Sequence, residues 1–178
     1  MTFWKFFFNS KNLIKLNKLR FKRNNEVNLF TKDKNNITKH DNIYFDINKK
    51  INLYELEKLC DSVGWVRRPL KKVELALKNS FLTVSLFYYT QNKKKLIGFA
   101  RVTSDGSFNA TIWDVAIHPE FQGQGLGKAL MNEVIKELRK HDISTITLFA
   151  DPEVIKFYRH IGFIIDPDGV KGMFWYPT

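Results

Sequence analysis

The stretch Ile112-Trp113-Asp114-Val115-Ala116-Ile117-His118-Pro119-Glu120-Phe121-Gln122-Gly123-Gln124-Gly125-Leu126-Gly127-Lys128 decides how the rest of the chain reads. Its opening is rich in β-branched and aromatic residues, as a strand is, and Pro119 ends that strand in a turn. Three glycines follow at alternate positions. Behind them Leu130, Met131, Val134, Ile135 and Leu138 fall on one stripe, which predicts a helix over 127–140. Glycine tolerates positive φ and close backbone approach, so such a loop leaves several N–H groups pointing into one hollow. The helix N-terminus adds partial positive charge there and Lys128 a full one, which suits a phosphate or pyrophosphate. The spacing excludes the two common nucleotide loops. Gln122 stands where Gly-x-x-x-x-Gly-Lys-Ser/Thr needs its first glycine, Ala129 follows Lys128, and Gly123, Gly125 and Gly127 break Gly-x-Gly-x-x-Gly. A tight strand-to-helix connection with no ligand is the competing reading.

Upstream, Ile43-Tyr44-Phe45 reads as a short strand, and Leu53, Leu56, Leu59 and Val63 place a helix over 52–63, stopped at Gly64. Pro69 opens a second helix over 69–79. Phe81–Tyr89 is a strand, and Leu96–Thr103 and Phe108–Ile117 flank the hairpin turn Ser104-Asp105-Gly106-Ser107. Downstream come a strand over 143–149 and a shorter helix over 152–161. A last strand pair, Phe163–Ile165 and Met173–Tyr176, is expected about the turn Asp166-Pro167-Asp168-Gly169. Helices interspersed with strands and at least one antiparallel hairpin predict a mixed α/β sheet, not a purely parallel doubly wound one.

The chain has 178 residues, 44% hydrophobic and 15% aromatic, which supplies one packed core and excludes disorder of the whole chain. No stretch approaches the roughly 18 uninterrupted apolar residues that span a bilayer. A single cysteine, Cys60, rules out an internal disulfide and a multi-cysteine metal site, and no metal is expected. The net charge of +11 invites a nucleic-acid reading until it is located. Residues 1–40 hold ten Lys/Arg against Glu26 and Asp33, a net +8, which leaves only +3 on the remainder. The chain therefore divides into a basic extension, 1–42, and a domain, 43–178. A solvated basic tail, a targeting segment and a nucleic-acid arm compete for the extension. Its opening Thr2–Phe8 is too short for a secretory apolar region.

Gln122-Gly123-Gln124-Gly125-Leu126-Gly127 resembles the Arg/Gln-x-x-Gly-x-Gly/Ala signature of the GCN5-related N-acetyltransferase (GNAT) superfamily. Val115–Pro119 resembles the strand and proline that lead into it, and Asp151–Phe163 the later motif with a Phe-Tyr pair and Gly-Phe. Within the family the chain is similar to a cyanobacterial and plastid branch, through Cys60–Trp65 with Arg67-Arg68-Pro69, and through Gly169–Trp175. That branch includes serotonin or arylalkylamine acetyltransferases and protein lysine acetyltransferases. The resemblance implies a mostly antiparallel, twisted mixed sheet of about six to seven strands flanked by about four helices. It implies that the backbone from Gln122 to Lys128, including Gly123, Gln124, Gly125, Leu126 and Gly127, cradles the pyrophosphate of acetyl-CoA. Val115, Ala116 and Ile117 would pair with the pantetheine arm like an added strand. Asp151 and Pro152 would lie along the cofactor.

Acetyl transfer to an amine needs a neutral amine, yet an alkylamine has a pKa near 10. It also needs a donor for the thioester oxygen and a proton for the departing thiolate. Tyr158 is the candidate acid, two turns beyond Asp151, which is placed to cap its helix, and Pro152, which opens it. The competing reading is a buried stripe of Val154, Tyr158 and Ile161. Asp114, on the strand entering the loop, is the candidate base, directly or through water; an ordinary strand carboxylate is the alternative. His118 reads as a surface turn residue, and Cys60 as core packing beside Leu56, Leu59 and Val63 rather than an acetyl carrier.

Trp65, Arg67 and Arg68 fall where the family places its acceptor wall. An aromatic floor suits an arylalkylamine, paired arginines suit acidic groups, and ordinary packing with a solvated face accounts for them equally well. The expected activity is transfer of acetyl from acetyl-CoA to a primary amine, an arylalkylamine or a protein lysine or N-terminus, by direct attack in a ternary complex. A CoA-binding sensor without turnover and a nucleic-acid binder using the basic arm are the rival functions, nucleic acid being the less favoured. A homodimer is compatible with the family, and the plastid stroma is the expected location, with a bacterial cytoplasm as the alternative.

Overall fold

The computed structural model describes residues 29–33, 36–40, 42–48, 50–90 and 93–176. The readings of the first 28 residues as tail, targeting segment or arm fall outside these. Strands β1 (Leu29–Asp33) and β2 (Asn36–His40) form an antiparallel pair with Leu29 opposite His40, which composition did not signal. A five-stranded sheet follows in the order β3 (Ile43–Ile47), β4 (Leu82–Thr90), β5 (Lys93–Ser104), β6 (Asn109–Ile117) and β7 (Thr145–Leu148). All its pairings are antiparallel except β6 with β7. Four α-helices accompany it: α1 (Leu53–Ser62), α2 (Leu70–Lys78), α3 (Leu126–Lys140) and α4 (Ile155–Ile161). Short 3-10 turns stand at Pro119–Phe121, Pro152–Val154 and Pro167–Gly169. No helix among the described residues is long and apolar enough to cross a membrane.

The sheet is thus the mixed, mostly antiparallel one expected, with five strands instead of six to seven. The missing pair is the one expected over Phe163–Ile165 and Met173–Tyr176, where no strand forms among the described residues. Between them Asp166, Asp168 and Gly169 all adopt left-handed φ (45°, 56° and 75°) around Pro167, which has no N–H to donate. That run makes a compact 3-10 turn, not a hairpin connection, and leaves Met173 and Trp175 95% and 85% exposed. The chain forms two compact units. The five-stranded sheet with α1 to α3 belongs to Arg20–Phe149, and α4 with its flanking turns belongs to Ala150–Thr178.

In the larger unit the helices form for the reasons their periodicity gives. Asn52 caps α1 by accepting from the N–H groups of Tyr54 (2.9 Å) and Glu55 (3.4 Å), so Leu56 and Leu59 turn inward. Helix α3 buries Leu126, Leu130, Met131, Val134 and Leu138. Its one buried acid, Glu133, accepts two bonds from Lys136 Nζ at 2.7 and 3.0 Å. Residues Leu96–Ala100 of β5 are buried without alternation, as a central strand covered on both faces must be. Phe99 packs with Leu56, Leu59 and Ala116 beneath α1, while α3 also packs on β5.

Two features of the sheet expose its tolerances. A Cβ built on Gly98 would come within 2.7 Å of Ile117 Cδ1 and 3.1 Å of Leu86 Cβ. Ile117 can swing aside, but the Leu86 Cβ is tied to its backbone, so Gly98→Ala should destabilise the fold by about 1–3 kcal/mol in urea titration. At the β5–β6 turn, the Asp105 carboxylate accepts from the N–H groups of Ser107, Phe108 and Asn109 (2.8, 2.8 and 3.1 Å). Chiefly these bonds hold its pKa down to about 2. The stabilisation is therefore complete above the usual carboxylate range near 4 and lost as pH falls through about 2. Melting temperature followed from pH 5 to 2 should drop more steeply in the native protein than in Asp105→Asn, and parallel curves would contradict this.

Candidate functional site

Along β6 two structural events coincide. Strand β7 pairs with it only from Asn109 opposite Thr145 to Ile112 opposite Leu148. Beyond Ile112, no strand among the described residues pairs with that edge of β6. On its other side β6 stays joined to β5, with Ala116 opposite Phe99 and Ile117 opposite Gly98. In between, Asp114 and Val115 stand against the single residue Ala100, and Asp114 takes φ +54°, a β-bulge. The bulge turns the strand where its neighbour leaves. Along Val115–Ile117 this edge of β6 is therefore paired to no strand among the described residues, and apart from Ile117 O, which accepts from Gln122 Nε2, its outward backbone groups form a template for an extended, amide-bearing ligand.

The loop behind this edge is tied down from its own side. His118 N–H donates to Ile97 O at 2.8 Å, and the His118 ring sits over the 3-10 turn, edge-on to Phe121. Gln122 Nε2 donates to Ile117 O at 2.8 Å and Gln124 Nε2 to Glu120 O at 3.2 Å. Both glutamines thus tie the loop through their side chains. Gly123 and Gly125 take φ of 73° and 80°, and Gly125 is the residue from which α3 starts. Among the described residues no acceptor faces the N–H groups of residues 123–128; Ala129, bonded to Gly125 O at 3.0 Å, is the first one satisfied. Leu126 is buried and anchors this first turn, while the Lys128 side chain stands exposed at the rim. Free amides on a helix N-terminus, with a lysine beside them, fit a pyrophosphate.

Next to the bulge lies a cavity of about 210 Å³ between α1, α2 and the β5–β6 strands. Leu56, Val73, Leu77 and Phe99 form its apolar wall. Its charged rim holds Asp114, whose Oδ2 accepts from Arg101 Nε at 2.7 Å and whose Oδ1 accepts from Arg68 Nη1 at 3.1 Å. The Asp114 and Arg101 side chains are 19% and 14% exposed, so this is a largely desolvated ion pair. Both carboxylate oxygens are engaged, one bond on each. Of the three acceptor-wall candidates only Arg68 lines the cavity. Trp65 packs against the core cluster under α1, and Arg67 makes a two-bond fork to Asp61 (3.2 and 2.7 Å). Cys60 packs on the same cluster, and burial pushes its thiol up, as expected of a core residue. Arg101 and Lys72 also line the cavity and escaped the sequence reading, although a lone arginine inside the apolar run Leu96–Val102 is itself a signal.

The second unit carries Asp151, Pro152 and Tyr158. Pro152 opens the 3-10 turn ahead of α4, as expected, but the Asp151 side chain makes no capping bond to it. The carboxylate acts on Tyr158 at longer range instead. Burial, and then the Asp151 charge, push the phenol above its ordinary value. The Tyr158 ring packs against Phe157 and Phe163 at centroid distances of 5.0 and 5.9 Å. Gly162, at φ 109°, ends the helix and lets the Phe163 N–H return to Tyr158 O at 3.1 Å.

Residues 51–163 match the Acetyltransferase (GNAT) family. The protein named uncharacterized N-acetyltransferase ycf52 of Gracilaria tenuistipitata var. liui is 61% identical over 184 aligned positions, which cover 99% of each chain. GCN5-related N-acetyltransferase 2, chloroplastic, of Arabidopsis thaliana is 50% identical over 151 positions, 76% of this chain and 58% of that one. Histone acetyltransferase TAP1 of Glycine max is 52% identical over 143 positions, 76% of this chain and 62% of that one. The solved structure of the GNAT family protein SP0256 of Streptococcus pneumoniae shares the fold, with a TM-score of 0.64 at 24% identity over 76% of this chain and 98% of that one. The chain belongs to the GNAT family of acetyltransferases. It is an acyltransferase, and enzymes of this family use acetyl-CoA.

The loop assignment depends on Gly125 keeping a left-handed φ, which a β-branched residue resists. Gly125→Val should weaken acetyl-CoA binding by at least about tenfold in calorimetry while circular dichroism keeps its helical signal. An unaltered titration would refute the assignment.

Proposed function

We propose that the protein transfers the acetyl group of acetyl-CoA to a primary amine by direct attack in a ternary complex. The observation that carries this reading is the continuity of the β6 edge at Val115–Ile117, which no strand among the described residues pairs, with the loop amides up to Lys128. One suits the amides of an extended arm and the other its diphosphate. The cavity beside the bulge is the place for the acceptor.

In this reading the amine nitrogen attacks the thioester carbonyl, a C–N bond forms and the C–S bond breaks. A backbone N–H of β6 beyond the bulge donates to the carbonyl oxygen as charge develops on it. The amine's proton leaves toward Asp114, directly or through water, the two arginines holding that carboxylate in place. Tyr158 gives its proton to the departing sulfur. A phenol is protonated at neutral pH in any case; burial and the Asp151 charge raise its pKa and so make the donation to sulfur more demanding. Core packing of Cys60 is the reason for preferring direct attack over an acetyl-cysteine route.

Serotonin, tryptamine, lysine side chains and protein N-termini are the acceptor candidates, and the histone acetyltransferase name of the Glycine max relative favours a protein amine. The chloroplastic name of the Arabidopsis relative supports a plastid stroma location. An amine panel with acetyl-CoA, followed by free thiol and acetylated product, tests the reading. Cofactor binding with no transfer to any amine would make the protein a CoA sensor instead. Tyr158→Phe should lower the single-turnover rate by roughly 10²-fold with little change in acetyl-CoA affinity. An unchanged rate where chemistry is limiting would remove Tyr158 from the mechanism.

A further inference from the structure

The cavity beside the bulge holds an unequal set of charges. Arg68, Lys72 and Arg101 line it against one carboxylate, Asp114. Asp114 is spent on the two guanidiniums, and no carboxylate among the described residues pairs with Lys72. The remaining guanidinium N–H groups and the Lys72 ammonium are donors, and no charged acceptor is left over. An acceptor that brings only an ammonium group meets a site of its own sign. An acceptor that also brings an anionic group meets the fork geometry of arginine, which matches a carboxylate.

We infer that the acceptor is a primary amine that carries a carboxylate close to its reacting nitrogen, with an apolar body against Leu56, Val73, Leu77 and Phe99, and that Lys72, Arg68 and Arg101 select it. The inference rests on the acetyl-transfer reading for the fate of the amine, but not for its binding. The volume of about 210 Å³ admits a single small side chain and its backbone. The same cations favour the neutral, reactive form of the amine, so selection and activation come from one arrangement. The carboxylate has two possible sources: that of a free amino acid, or an acidic side chain beside the target amine of a peptide.

The test measures binding to the full chain by calorimetry, using N-acetylleucine and N-(3-methylbutyl)acetamide, which differ only in the carboxylate. N-acetylleucine should bind at least about tenfold tighter. Lys72→Gln should close most of that gap and Lys72→Arg should keep it; Lys72 is exposed on α2, which tolerates both residues. No gap in the native protein, or a gap that Lys72→Gln leaves unmoved, overturns the inference. A second arm compares N-acetyllysine peptides flanked by glutamate or by glutamine. A wider gap there than in the leucine pair assigns the carboxylate to a peptide, a narrower one to a free amino acid. Selective binding of N-acetylleucine without any acetylation of leucine or lysine peptide would retain the inference and defeat the acetyl-transfer reading. Acetylation confined to amines without a carboxylate would do the reverse.

Discussion

In the larger unit the open β6 edge and the charged cavity both trace to one backbone irregularity, the extra residue in β6 opposite Ala100. A regular strand would have to stay beside both neighbours along its whole length. By placing Asp114 at positive φ, β6 bends, keeps its ladder with β5 and parts from β7 after Ile112. The parting creates the free edge. The bend also aims the Asp114 carboxylate at Arg101 on β5 and Arg68 on the α1–α2 connection. Aspartate is one of the few residues other than glycine that accepts this conformation, and glycine would supply no carboxylate to hold the arginines.

The positive charge of the protein thus has a local meaning that its total conceals. The excess of +8 in the first 40 residues says nothing of the chemistry. Inside the domain, positive character is placed at two points. At the loop it is partial, spread over backbone amides and joined by Lys128. At the cavity it is formal, held by side chains on three separate elements and organised by a single acid.

The limits of what the chain revealed as a bare sequence follow the range of the interactions concerned. Helices α1, α2 and α3 were legible to within about a residue at each end, because capping and a 3.6-residue stripe are local. The conformation of the glycine loop was legible because positive φ at Gly123 and Gly125 is a local property of glycine. The bulge was not, since an aspartate at positive φ leaves no mark in a strand of ordinary composition. The Arg101–Asp114–Arg68 triad spans 46 residues of chain, and only the fold brings Arg68 to Asp114. Trp65 and Arg67 turn to the core and to Asp61, contacts that their segment alone does not report. The expected final strand pair failed for the opposite reason: Phe163–Ile165 and Met173–Tyr176 have strand composition, but the left-handed run between them sets a geometry that composition does not report.

The two glutamine ties of the loop change what its glycines mean. A segment with three glycines in five residues loses more chain freedom on being ordered than almost any other. Here Gln122 holds Ile117 O, Gln124 holds Glu120 O and buried Leu126 pins the helix start, so that ordering is complete once the domain has folded. A ligand arriving at the amides finds them already aligned and forfeits little entropy in fixing them. The cost has been moved from each binding event to the single event of folding, and a loop built from the most pliant residue acts as a rigid mould.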